Sequence, residues 1–155
     1  MKCLQKILLF ISLTTLFSSN LSAQAVTDAH KDSLNSILKN YYDLNLKMFQ
    51  AGSTKADIDK AFALFTEDFT YEHAKYDGYY TREGLYKSAL RNQQNGRYDG
   101  SVTSFKMVNK IIGLKGAAVQ KRFVTKNDGK ITESEPQLSL FEFKKGKISR
   151  IVEYW

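Results

Sequence analysis

The sequence predicts an α+β domain in which three N-terminal helices pack on one face of a curved antiparallel sheet. Three observations carry that expectation. Apolar side chains recur at helical spacing between residues 32 and 96, residues 101–155 form strand-like runs, and the turns between those runs leave no room for helical crossovers.

The first residues read as a leader. Lys2 and Lys6 precede an apolar run from Ile7 to Phe17, and Ala23-Gln24-Ala25 supplies a small-residue cleavage site, the pattern of a secretory signal peptide over residues 1–25 with cleavage after Ala23 or Ala25. That run is shorter than the roughly 20 residues of a membrane-spanning helix, so the expected product is exported, periplasmic or secreted, with no stable membrane anchor. Loss of Lys2 and Lys6 from 23 basic residues against 16 acidic ones lowers the formal charge from +7 to +5. The one cysteine, Cys3, lies in the leader, so packing rather than a disulfide must stabilise residues 26–155, read here as a single domain.

Leu34, Ile37, Leu38, Tyr41, Met48 and Phe49 share a helical face, capped by Asp32 or Ser33 and ended by Gly52. Asn45 interrupts that face; its amide is either satisfied by nearby backbone or turned toward a pocket, because an unpaired buried amide costs about 1–3 kcal/mol. A second helix places Ile58, Ala61, Phe62 and Phe65 together after a Ser53 or Thr54 cap. A short hairpin spans Thr70 to Tyr80, and a third helix runs from Thr81 through Leu85, Ala89 and Leu90 to near Gly96. Strands are expected at 101–112, 117–126, 130–143 and 147–155, divided by turns at Gly113–Gly116, Asn127-Asp128-Gly129 and Lys144-Lys145-Gly146.

The segments "FQAG", "FALFTEDFTYEH", "TREGLYKSAL" and "LSLFEFKKGKISRIVEYW", in that order, resemble the nuclear transport factor 2-like superfamily, most closely its SnoaL-like polyketide cyclases and ketosteroid isomerases. The resemblance spans nearly all of residues 26–155. It implies a cone-shaped fold, three helices on a strongly curved antiparallel sheet enclosing a pocket, and relatives of this fold often pair through their sheets. One fold serves many chemistries, so function must come from the site.

In that resemblance the segment "FTEDFTYEH" ends where the isomerases carry a catalytic Asp, and the residue here is His73. Tyr71 shares its strand face, and Ile151, Glu153 and Trp155 face inward on the last strand. Ser139 stands where the isomerases place an oxyanion-binding Asp, with Glu135 and Gln137 before it on the same face. Asn45 falls near the family's phenolic Tyr, with Tyr41 one helical turn away, and Lys121 joins from the middle strand. His, Ser and Asn do not make the base and neutral acid pair of a ketosteroid isomerase. The reading is instead a small-molecule site with His73 as general base, Glu153 orienting it, and Tyr41, Asn45, Tyr71, Lys121, Glu135, Gln137, Ser139 and Trp155 contacting a partly apolar organic ligand. A lyase, isomerase or cyclase would suit those groups. A non-catalytic binding or dimeric interaction module is the alternative, in which Glu153 pairs structurally with Lys121.

Other chemistries find less support. Glu72 and His73 point to opposite faces and His30 lies far off, so no compact metal-ligand set is legible; no Gly-rich phosphate loop or cysteine nucleophile implies a cofactor or covalent hydrolysis. Ser139 lacks a nucleophile elbow. The basic residues Lys106, Lys110, Lys115, Lys126, Lys130, Lys144, Lys145, Lys147 and Arg150 alternate with apolar residues or sit in turns, which reads as a solvated sheet face rather than a nucleic-acid interface.

Overall fold

The computed structural model describes residues 27–155; the expected leader and Cys3 lie outside them. The first helix, α1 (Asp28–Met48), starts more than a turn before the expected Asp32 or Ser33, because Thr27 supplies the cap: its hydroxyl accepts from the His30 N–H at 3.2 Å. Leu34, Leu38, Tyr42 and Met48 are its buried face. Helix α2 (Lys55–Phe62) is fixed at its start by Asp57, whose carboxylate accepts from the Thr54 N–H at 2.9 Å and the Thr54 hydroxyl at 2.8 Å.

Phe65, expected on that helix, opens strand β1 (Phe65–His73) instead and stacks on Phe69 with ring centroids 4.0 Å apart. A single 3-10 turn, Ala74–Tyr76, and Asp77 at φ 46° return the chain into β2 (Gly78–Thr81). The Thr81 hydroxyl then caps α3 (Arg82–Gln94), accepting from the Gly84 N–H at 3.2 Å.

Four strands follow the long β3 (Val102–Ile112): β4 (Gly116–Asn127), β5 (Lys130–Glu133), β6 (Gln137–Lys144) and β7 (Lys147–Tyr154). The β6–β7 hairpin turns at Lys145 (φ 53°) and Gly146 (φ 72°), the left-handed pair that a two-residue turn requires. Gly116 serves closeness rather than φ, since a Cβ there would stand 2.9 Å from the Phe141 carbonyl oxygen. The expected 130–143 strand is two strands. Pro136, the only proline, follows Ser134, whose hydroxyl accepts from the Phe123 N–H at 3.0 Å and whose carbonyl accepts from Arg122 at 2.6 Å. That kink sends β5 along the end of β4 and β6 along its beginning.

The expected strongly curved, wholly antiparallel sheet enclosing a pocket is corrected. The sheet is mixed and open, ordered β2-β1-β7-β6-β4-β3 with β5 beside β4, and is neither closed nor strongly curled. β1 lies parallel to β7, pairing Tyr71 with Ile151 and His73 with Glu153. Short turns reveal only the pairing of strands adjacent in sequence, whereas this parallel pair is joined through α3 and all the intervening strands. The cavity therefore lies between the helices and one face of the sheet. Among the described residues no helix is long and apolar enough to cross a membrane.

Two of the basic residues on the other face are held in ion pairs. Lys106 meets Glu133 at 2.8 Å, and Arg150 binds both Glu72 and Glu142 at 2.9 Å.

Candidate functional site

Three neighbouring strands place Lys121 (β4), Ser139 (β6) and Glu153 (β7) side by side on the helix-facing surface; Ser139 and Glu153 are directly paired in register. All three are buried. One carboxylate oxygen gathers them: Glu153 Oε2 accepts from the Ser139 hydroxyl at 2.8 Å, from Lys121 Nζ at 3.4 Å and from the Trp155 indole N–H at 2.5 Å. Lys121 Nζ also donates to Ser139 Oγ at 3.0 Å and sits 5.3 Å from the Phe123 ring centroid. Buried charges persist in this way, paired and hydrogen-bonded.

Above this cluster opens a cavity of about 340 Å³, within the range of small-molecule sites. Tyr41 and Tyr42 from α1, Phe65, Phe69 and Tyr71 from β1, and Phe105 and Phe123 from β3 and β4 form much of its wall. Ser88 and Asn92 of α3 add polar groups. The Tyr42 hydroxyl is buried without a hydrogen-bond partner among the described residues.

Burial pushes the Tyr41 hydroxyl well above its ordinary pKa, and the Glu153 charge raises it further. The same two causes, burial first, raise Tyr42 and Tyr71. Burial also lowers Lys121, overriding the opposing pull of Glu153. The arrangement thus holds three neutral phenols around one anchored carboxylate, at a floor whose lysine and glutamate charges compensate.

Of the residues singled out in the sequence, Tyr41, Asn45, Tyr71, Lys121, Glu153 and Trp155 line the cavity, and Ser139 lies beneath it. Both readings of Asn45 have a counterpart: its amide donates to the Tyr41 carbonyl at 2.8 Å while the residue stays in the wall. His73 is buried but is not part of the lining. Its ring packs against Tyr76 and Trp155, each at 4.6 Å between centroids, and neither ring nitrogen has a partner among the described residues. No hydrogen bond joins it to Glu153, which Lys121, Ser139 and Trp155 occupy instead. Glu135 sits exposed on the Ser134–Pro136 kink, which breaks the alternation that would have set it beside Gln137. Gln137 neighbours Lys121 in register without reaching the lining.

Tyr42, Phe69, Phe105 and Phe123 are lining residues that sequence reasoning missed. Tyr42 continues the four-residue spacing of Leu34 and Leu38, and Phe123 follows Lys121 by two, so both carried a signal. Among the described residues no three metal-ligating side chains come together.

No protein-family profile and no curated protein matches the chain. Solved structures do. An NTF-2 like protein of unknown function from Burkholderia xenovorans LB400 is 14% identical, with 80% of this chain and 83% of that one covered at a TM-score of 0.55. A Catenulispora acidiphila protein with a ketosteroid isomerase-like fold, solved in complex with trimethylamine, is 13% identical over 77% of this chain and 84% of that one, at 0.51. An NTF2-like protein of unknown function from Cytophaga hutchinsonii is 10% identical over 79% and 96%, at 0.53. The chain has the nuclear transport factor 2-like fold that these structures share.

Proposed function

We propose that the protein binds a small, partly apolar organic molecule in the aromatic cavity, with a hydrogen-bond donor of the ligand meeting Glu153. One observation carries this reading: the hydrogen bonds that hold Glu153 all converge on Oε2, while Oε1 has no partner among the described residues and the side chain lines the cavity. The compensated charge of the floor favours a neutral ligand. Any lyase, isomerase or cyclase step on it would use Glu153 as the base, since His73 stands outside the lining. If residues 1–25 act as a secretory leader, the site works after export.

The test uses the single tryptophan. Because the Trp155 indole N–H is bonded to Glu153, its lone NMR indole resonance reports on the floor. Benzyl alcohol, benzamide and cyclohexanol serve as probes; at least one should shift that resonance saturably. Glu153→Gln should weaken binding of a hydroxyl-bearing probe by about 10- to 100-fold, the loss of one charge-assisted hydrogen bond. An indole resonance that ignores every probe up to its solubility would overturn the reading.

A second, compatible property concerns the opposite sheet face. Ile111, Ala118 and Leu140 are register partners across β3, β4 and β6 and form an apolar row, extended by exposed Leu138 and Tyr154 and ending at Val152 of β7, which is already buried. We propose that a second copy covers this row, since a self-complementary apolar stripe between paired charges suits a two-fold interface. Sedimentation should find a dimer that Leu140→Lys dissociates; a wild-type chain that stays monomeric at high concentration would sink the idea.

A further inference from the structure

We propose that Lys121 captures carbonyl compounds, its Nζ condensing with an aldehyde or ketone held in the cavity to form an imine while Glu153 moves the protons. The inference rests on the small-molecule reading above and names the ligand's chemical class. Lysine ammonium groups normally stay in water while their stems pack. Lys121 instead has 3% of its surface exposed and lies in the cavity wall, on the face that Val119 and Phe123 share with it. Its head is fixed by Ser139 at 3.0 Å and by Glu153 at 3.4 Å, which accounts for two of three N–H bonds. The remaining valence has no partner among the described residues. A desolvated amine beside a carboxylate, facing a space of about 340 Å³ walled by aromatic rings, has the requirements of a Schiff-base lysine. The burial that weakens the hold of Lys121 on its proton acts in the same direction.

The step balances without a co-reactant. The Lys121 ammonium gives one proton to Glu153, and the freed nitrogen lone pair forms the N–C bond as the carbonyl π pair moves to oxygen. A proton passes from nitrogen to that oxygen, giving a carbinolamine. The nitrogen lone pair then expels the hydroxyl, which leaves as water with the proton stored on Glu153. The products are a protonated imine on Lys121, an ionised Glu153 beside it, and one water. Phenol donors from Tyr41 and Tyr42 in the same wall can steady the carbonyl oxygen during addition.

The test is reductive trapping. The purified chain is incubated near neutral pH with benzaldehyde and cyanoborohydride, which delivers hydride to the imine carbon, and the adduct is mapped by peptide mass spectrometry. The expected result is one benzyl group on the Lys121 peptide, exceeding the adduct at each of the exposed Lys144, Lys145 and Lys147, because only the Lys121 amine faces a cavity that holds the aldehyde beside it. Lys121→Met combined with Glu153→Gln should lose this adduct and keep the surface background. Benzyl alcohol, which has the ring without the carbonyl, is followed in parallel by the Trp155 indole resonance. If benzyl alcohol binds but Lys121 is labelled no more than the surface lysines, carbonyl capture is wrong and the binding reading stands. If neither compound reaches the cavity, both fall.

Discussion

Lys121→Met is expected to destabilise the fold by about 3–5 kcal/mol near neutral pH, the usual penalty for removing one member of a buried ion pair. The lysine leaves behind Glu153, 5% exposed, whose carboxylate keeps only the Ser139 hydroxyl and the Trp155 indole as donors. A neutral pair of similar volume, Lys121→Met with Glu153→Leu, should recover most of the loss, since burying two charges has its own desolvation cost. Urea midpoints for wild type and both variants near neutral pH measure both effects. A single variant within about 0.5 kcal/mol of wild type, the ordinary range for a surface change, would show that the cluster is not a desolvated ion pair.

How much of this site was legible in the sequence depends on which interaction places each residue. Caps are local, so the sequence narrows the second helix to a Ser53 or Thr54 cap, which is Thr54, and starts the third at Thr81, which is its cap, while Thr27 was hidden because the expected start rested on the first strongly apolar turn. Alternation along a strand is also local, and it set Tyr71, Glu153 and Trp155 on the inner face, where they are. It also turned His73 inward. What alternation could not convey is that β1 ends there in a 3-10 turn, so Tyr76 comes round to pack on the imidazole together with Trp155. Glu135 failed for a different reason, because strand 130–143 was read through the only proline and its face reversed at the kink. The parallel β1–β7 pairing is wholly non-local. It brings Tyr71 beside Ile151 and His73 beside Glu153, and no turn in the sequence encodes it. Thus the residue types of the site were mostly visible, whereas the partner that each one found was decided by pairings between distant strands.

The stability of the protein should fall steeply above about pH 10, with the buried phenols as the cause. Tyr41, Tyr42 and Tyr71 all have pKa values raised by burial and then by the charge of Glu153. The unfolded chain ionises its tyrosines near 10 while the native chain still holds those protons. Above that point the unfolded state binds fewer protons, so raising the pH favours unfolding, by about 1.4 kcal/mol per pH unit for each such tyrosine. Three acting together would remove about 4 kcal/mol per unit, a large part of a typical domain's 5–15 kcal/mol. Lys121 acts in the opposite sense below this range: its lowered pKa means that the unfolded chain holds the proton more tightly, so stability gains as pH rises toward about 10.4. Urea unfolding between about pH 8 and pH 12 tests the alkaline loss, with Tyr41→Phe isolating one phenol against a background of other titrating groups. The difference between wild type and Tyr41→Phe should change by about 1.4 kcal/mol per pH unit above 10. A difference that stays constant with pH would mean that the Tyr41 hydroxyl ionises as readily in the fold as in water. It would then not be a desolvated group in the cavity wall, and the low-polarity environment on which the chemistry of Lys121 and Glu153 depends would go with it.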